Sequence, residues 1–212
     1  LKHNKGKGVM IGHMDDMEPR VVTVIGAGVA GTQSILKAID NKALVKVVDS
    51  SQSKLDDLKL KYGTENVEYI LSSKDSIQVS VNESDLVIGS VYVVGKEAPK
   101  VVTKDMLSSM NPGTVMVDVS IDQGGCFETS KPTTHDSPTF LENDIVHYCV
   151  TNMPGAVPLT ATEALNKVSL SYVEKLANNG VQNALDSDEH LRNGLNILDG
   201  RIVHPGVKET LG

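Results

Sequence analysis

A chain of 212 residues with 40% apolar and 22% charged side chains is long and apolar enough to bury a core, which sets intrinsic disorder aside. A net charge of −7, no Trp and 3% aromatics exclude the clustered cations and stacking platforms that nucleic-acid partners require. No apolar run approaches the roughly 20 residues of a membrane span, the basic opening "LKHNKGKG" lacks the apolar centre of a secretory signal, and Cys126 and Cys149 make no CxxC. A cytoplasmic protein without a disulfide framework is therefore expected. The chain opens at Leu1 rather than Met, which suggests a piece of a longer polypeptide.

Residues 1–18 read as a lead-in. The first strand is expected at Val21–Ile25, a β-branched run that ends in Gly26-x-Gly28-x-x-Gly31. Ile35, Leu36 and Ile39 then repeat at helical spacing over Thr32–Ile39. A second strand at Val45–Val48 leads into Asp49, and Leu55, Leu58 and Tyr62 mark a helix that Gly63 can stop. Further strands are expected at Val67–Leu71, Leu86–Ile88, Val115–Val119 and Ile145–Val150. Near-continuous apolar strands alternating with helices indicate a doubly wound (Rossmann) α/β domain over 19–157, its parallel sheet covered on both faces.

Beyond it the pattern changes. Two prolines are followed by Thr160-x-x-Glu163, a capping-box signature, and by Leu165, Val168, Tyr172 and Leu176 on one face. A helix over Thr160–Asn179, closed by Asn179-Gly180, is expected, with a hairpin near Asp199-Gly200. Residues 158–212 read as the returning portion of another domain.

The glycine motif carries the first chemical expectation. Gly26 permits a tight turn, Gly28 lets a pyrophosphate approach the backbone, and Gly31 lets the helix pack closely on the sheet. Free amides at the helix start would hold the phosphates. Asp49 follows Gly31 by 18 residues, at the end of the next strand, where a carboxylate accepts from the adenosine ribose and repels a 2′-phosphate. NAD is the expected cofactor, and Lys54 could soften its preference over NADP. Ligands of open α/β sheets lie beyond the carboxyl ends of the strands. "GSVYVVGKEAP", with Val91 and Tyr92, "VSIDQGG", with Val119 and Asp122, and "VTNMPGAVP", with Asn152 and Met153, all follow strand ends and are expected to form one cleft.

These segments resemble the C-terminal part of bacterial alanine dehydrogenases. "VTVIGAGVAG", "SDLVIG", "APKVVTKDM", "MNPGTVMVDVSIDQGGCFETSKPTTHD", "HYCVTNMPGAVP" and "LANNG" occur in family order. The related NAD-binding part of proton-translocating transhydrogenase usually differs after the glycine pair, where this chain reads Gly125-Cys126-Phe127-Glu128. The resemblance implies reversible, NAD-linked oxidative deamination of L-alanine to pyruvate and ammonium. By position it assigns the pyrophosphate to Gly26, Gly28 and Gly31 and the ribose to Asp49. It places Val91, Tyr92 and Val119 along the cofactor, Asp122 at the reaction centre, and Asn152 and Met153 beside the nicotinamide. The family's carboxylate-binding Arg and Lys and its proton-transferring His belong to an N-terminal substrate domain, so this chain is expected to supply the NAD-binding half and to be inactive alone. Its partner would be a further copy in a homo-oligomer or a separate chain carrying the substrate domain. A transhydrogenase-like component, or a split-gene NAD-binding module without catalysis of its own, is the alternative. Leu159 replaces the basic residue expected before Thr160-x-Thr162.

Several tempting residues have plainer readings. His135 and His147 are expected as loop or core histidines. His3, His13, His190 and His204 lack ligand spacing, so no metal is expected. Cys126 is expected as a small buried hydrophobe.

Overall fold

The computed structural model describes residues 5–12 and 14–211; His3 and His13 lie outside the described residues. The chain divides into two compact units. One holds Leu1–Val93 and Glu97–Thr151, and the other Val94–Lys96 and Asn152–Gly212.

In the first unit, β1 (Val21–Ile25), α1 (Val29–Asp40), β2 (Leu44–Asp49), α2 (Gln52–Tyr62) and β3 (Val67–Leu71) follow in sequence. After them come α3 (Lys74–Glu83), β4 (Leu86–Gly89), β5 (Val115–Asp118), β6 (Thr139–Glu142) and β7 (Ile145–Tyr148). Among the described residues they build a seven-stranded sheet of order β3-β2-β1-β4-β5-β7-β6. Every neighbouring pair is parallel except β6 and β7. The chain winds outward from β1 toward β3 and returns to β4 on its other side, so the order reverses between β1 and β4. Ile25 pairs with both Val48 and Gly89, and Gly89 pairs with Asp118. The carboxyl ends of β2, β1, β4 and β5 are therefore level.

Side-chain alternation along the strands supplies two cores. Val22, Val24, Val45 and Val47 are buried with Ile35 and Ala38 of α1 and Leu55 of α2 on one side. Ile25, Val48, Val87 and Met116 point the other way and pack with Ile77 and Val81 of α3 and with Met106 and Phe127. Cys126 and Cys149 are free and buried, and desolvation pushes both thiols above their ordinary pKa. Cys126 thus behaves as a small core residue.

The differences from the sequence reading have local causes. α1 starts at Val29 rather than Thr32 because Gly28 serves as its N-cap. The strands expected to reach Val119 and Val150 end at Asp118 and Tyr148. α3 was not anticipated: only Ile77, Ser80 and Val81 are buried in a polar segment, and its start is fixed by a reciprocal cap between Ser73 and Ser76. β6 was also missed. Asn143 and Asp144, at φ 49 and 59, join it to β7 through a two-residue turn of the kind that favours hairpins.

The second unit contains α4 (Pro158–Ser187), α5 (Glu189–Asn193), the β8 (Ile197–Leu198) and β9 (Arg201–Ile202) hairpin and α6 (Pro205–Leu211). The Thr160–Glu163 capping box does not form. Pro158 occupies the first turn, where its fixed φ suits a helix start, and Val157 is the N-cap with no side-chain bond. Gly180 does break the helix, at φ 74 and ψ 166, but the chain resumes helical geometry as far as Ser187. The hairpin turns at Asp199 and Gly200, at φ 49 and 75. No helix among the described residues is long and apolar enough to cross a membrane.

His147 in β7 is fully buried and stacks on Phe140 with ring centroids 4.8 Å apart. Its Nδ1 lies 3.1 Å from the Ile145 carbonyl, which only an N–H can satisfy, so Nε2 accepts the Thr129 hydroxyl at 2.8 Å. Desolvation lowers its pKa below the ordinary 6.5. The unfolded chain then binds a proton that the native state refuses, so stability falls as pH drops below about 6.5 toward the folded value. Denaturant melts should show stability falling with pH in that window, by at most about 1.4 kcal/mol per pH unit, and His147→Gln should remove this contribution. An unchanged slope in the variant would assign the acid sensitivity elsewhere.

Candidate functional site

The level strand ends open onto a cleft of about 620 Å³. Its lining includes Gly26, Gly28, Asp49, Lys54, Val91, Tyr92, Val119 and Asp122, joined by Ser90, Ser120 and Gln123. Gly31 stands behind this wall rather than in it. Asn152 and Met153 belong to the second unit, where Asn152 takes a left-handed conformation at φ 53 and caps a short 3-10 turn over Met153–Ala156.

The glycine loop is shaped by three different constraints. Gly26 has φ 95, and a Cβ there would meet the Ser90 carbonyl oxygen at 2.7 Å. At Gly31 a Cβ would fall 1.8 Å from the Gly26 carbonyl oxygen and 2.5 Å from Ser90 Oγ, so α1 can seat on the loop only with glycine. At Gly28 a Cβ would meet nothing within 4 Å. The space beside Gly28 is open, and the helix behind it starts with no side-chain cap and no acidic residue in its first turn. Unsatisfied amides and the positive end of the helix dipole therefore face an open volume, which fits an anionic phosphate.

Asp49 closes the same loop from the neighbouring strand. Its Oδ2 accepts the Ala27 N–H at 2.7 Å and its Oδ1 the Ser51 N–H at 2.8 Å, with the residue 7% exposed. Each oxygen keeps a further lone pair, so a ribose hydroxyl can still be accepted. Ser51 caps α2 by accepting the Lys54 N–H, which places the Lys54 side chain at the cleft edge.

The opposite end of the cleft is formed after β4 and β5. Ser120 donates its hydroxyl to the Val91 carbonyl at 2.8 Å and so ties the two loops together. A 3-10 turn over Ile121–Gln123 follows, with Asp122 exposed and Ile121 buried as its anchor. Gly124 and Gly125 then take φ 85 and 76 in succession. Gln123 also lines the cleft, but its Oε1 is buried without a hydrogen-bond partner. Apolar Val91 and Val119 beside the exposed Asp122 carboxylate suit a planar heteroaromatic ring such as nicotinamide. Among the described residues no group of three or more His, Cys, Asp or Glu is arranged to hold a metal ion. His135 is exposed in a loop and does not line the cleft.

Sequence reasoning missed Ser90, Ser120, Lys100 and Asp118. Ser90 donates to the Gly26 carbonyl at 2.7 Å and thereby braces the glycine turn. Asp118 carried a signal that could have been used, namely a carboxylate inside the apolar run Val115-Met116-Val117-Asp118-Val119. Lys100 carried none, since an exposed Lys in a loop looks like any other.

Comparison with known proteins agrees with this geometry. The family described as alanine dehydrogenase/PNT, C-terminal domain, matches residues 1–205. Alanine dehydrogenase from Halomonas elongata is 46% identical over 211 residues, covering 100% of this chain and 57% of the relative. Alanine dehydrogenase 2 from Staphylococcus aureus is 43% identical over 210 residues, covering 99% and 56%. A solved L-alanine dehydrogenase superposes with a TM-score of 0.87 at 43% identity, covering 98% of this chain and 57% of that one. A transhydrogenase from Sinorhizobium meliloti shares the fold, with a TM-score of 0.72 at 22% identity over 88% of this chain and 53% of its own. The chain thus spans little more than half the length of the curated relatives it matches. With its glycine-rich turn, strand-end carboxylate and mostly parallel sheet, the chain belongs to the alanine dehydrogenase/PNT C-terminal domain family.

Proposed function

We propose that this chain supplies the NAD-binding half of an alanine dehydrogenase, which converts L-alanine, NAD and water to pyruvate, ammonium, NADH and a proton. The observation that carries this reading is the single cleft shared by Gly28, Asp49 and Asp122, in a chain 46% identical along its whole length to an alanine dehydrogenase. When bound, NAD supplies the acceptor for the hydride of the alanine α-carbon. The chain's residues do the rest of the holding. The α1 amides beside Gly28 take the pyrophosphate, and Gly26 and Gly31 let that loop exist. Asp49 accepts from the adenosine ribose while it keeps Ala27 in place, with Lys54 at the rim. Val91, Tyr92 and Val119 exclude water around the nicotinamide.

Asp122 is the proton-handling group that this chain contributes, beside the His that the resemblance assigns to the substrate domain. Loss of hydride leaves an imine that water must attack, and both steps release or shift protons that a positioned carboxylate can take. Its negative charge also favours the cationic iminium over the neutral amine from which hydride loss forms it. The residues that anchor the alanine carboxylate are proposed to come from a substrate domain. Residues 1–18 would lead in from it, 19–157 form the NAD-binding domain, and 158–212 return to it. The exposed apolar side chains of Leu165, Val168 and Val173 on α4 support assembly with another copy or with a separate substrate-domain chain. The transhydrogenase-like or non-catalytic module reading rests on fold likeness at 22% identity and is the second choice.

The purified chain with L-alanine and NAD should give no NADH absorbance by itself. Addition of a separately produced N-terminal region from an alanine dehydrogenase should restore it, and Asp122→Asn should then lower kcat about 100-fold or more. Full activity in the Asn variant would remove Asp122 from the chemistry, and activity of the chain alone would show that it anchors alanine itself. A glycine pair tests the cofactor cradle. Gly28→Ala should keep the wild-type melting temperature but weaken NADH binding about tenfold, because its methyl takes up phosphate space. Gly31→Ala should lose about 3 kcal/mol of stability, because its methyl collides with the backbone. Equal NADH affinity in wild type and Gly28→Ala would place the phosphates elsewhere.

A further inference from the structure

The Gly125–Cys126 peptide is gripped at both ends of its dipole. Its carbonyl oxygen accepts the Lys100 ammonium at 2.6 Å, and its N–H donates to Asp118 Oδ2 at 2.8 Å. The same ammonium also donates to the Gly124 carbonyl. Asp118 is the last residue of β5 and is fully buried. Its carboxylate gathers the Ser120 N–H at 3.0 Å, the Phe127 N–H at 3.3 Å, the Ser130 hydroxyl and, at 3.5 Å, the Cys126 thiol. The loop from Ser120 to Ser130 is thus wrapped around one buried anion, with its charge met by N–H and O–H donors. Glycine is required for the closure, because a Cβ at Gly125 would lie 2.8 Å from Asp118 Oδ2 and 2.7 Å from Ser130 Cβ.

A cation at the carbonyl end and an anion at the amide end both favour the same orientation of the peptide dipole, and charge-assisted bonds are about twice as strong as neutral ones. The segment that carries Lys100 reinforces the hold. The Ala98 N–H donates to the Gln123 carbonyl at 2.9 Å and the Val101 N–H to the Cys126 carbonyl at 2.8 Å. Asp122 and Gln123 precede this gripped peptide with only Gly124 between, and they line one end of the cleft. The opposite end, at Gly26, Gly28 and Asp49, shares none of these bonds.

We propose that Lys100 and Asp118 are positioning residues that hold the Asp122–Gln123 turn at the nicotinamide end of the cleft, a role that rests on the cleft taking NAD. Lys100 acts from the exposed side of the loop and Asp118 from the core, so neither touches the cofactor. Lys100 offers the cleaner test, because an exposed side chain can be truncated without opening the core.

The full 212-residue chain should be titrated with ADP-ribose and with NADH, alongside residue-resolved amide hydrogen exchange. In Lys100→Met, ADP-ribose affinity should stay at the wild-type level, while the extra affinity of NADH over ADP-ribose should shrink about five- to tenfold. Exchange at the Cys126 and Phe127 amides should speed up about tenfold or more, while Val24 and Val47 in the central strands should not change. Lys100→Arg should recover both readouts, and Asp118→Asn should accelerate exchange at Ser120, Cys126 and Phe127 together. Equal losses for both ligands, or unchanged exchange at Cys126 and Phe127, would overturn the assignment. If the wild-type chain binds neither ligand, the cofactor reading fails, and Lys100-dependent exchange at Cys126 still decides whether Lys100 holds the loop.

Discussion

The contact between α1 and the Gly26 carbonyl sets the terms for everything at the sheet's carboxyl edge. An L-residue side chain at position 31 would occupy the same space as that oxygen, so the helix reaches the strand only because Gly31 has none. Once the helix is seated there, its first turn must point past Gly28 into the gap between β1 and β4, where the strand order reverses. Ser90 and Asp49 then fix the turn from either side, by accepting or donating to its backbone. The result is an unmet set of amides facing open space, which a folded chain tolerates only where solvent or a ligand can satisfy them.

Two strand-final carboxylates share one design and diverge in use. Asp49 at the end of β2 and Asp118 at the end of β5 each accept the N–H two residues on, at 2.8 and 3.0 Å. Each also accepts a loop amide from farther away, Ala27 for Asp49 and Cys126 for Asp118, at 2.7 and 2.8 Å. In both cases the turn after a strand is held by a local Asx-type bond and a distant amide is pinned to it. The difference lies in exposure. Asp49 borders the cleft and has acceptor capacity left for a ligand, whereas Asp118 is sealed and spends itself on its own loop.

Much of the first unit was legible because its signals are periodic or steric. β-branched runs marked the central strands, and the glycine spacing with Asp49 beyond it marked the switch point. What stayed hidden depended on long-range partners. α3 buries few apolar side chains and starts on a serine pair, so its period is faint against a polar background. β6 is a four-residue edge strand whose only local sign is the Asn143-Asp144 turn. The α4 start was misplaced because Thr160 and Glu163 have the composition of a cap, while Pro158 had already set the helical φ two residues earlier. Lys100 and Asp118 lie 18 residues apart in the chain, and no spacing rule links a surface cation to a core carboxylate through a peptide between them.

The bond from Ala27 to Asp49 bears on attempts to convert such a domain to a phosphorylated coenzyme. Under the proposed reading, the carboxylate that repels a 2′-phosphate is also the acceptor for an amide inside the phosphate-binding turn. Exchange of Asp49 for a small neutral residue therefore alters two things at once, the charge at the ribose and the anchoring of the turn that receives the pyrophosphate. A conversion that keeps the turn intact has to leave an acceptor at position 49 and add positive charge at the neutral Ser50, beside the cation of Lys54; both border the same cleft. The coenzyme preference of this fold is thus coupled to the rigidity of its own glycine loop.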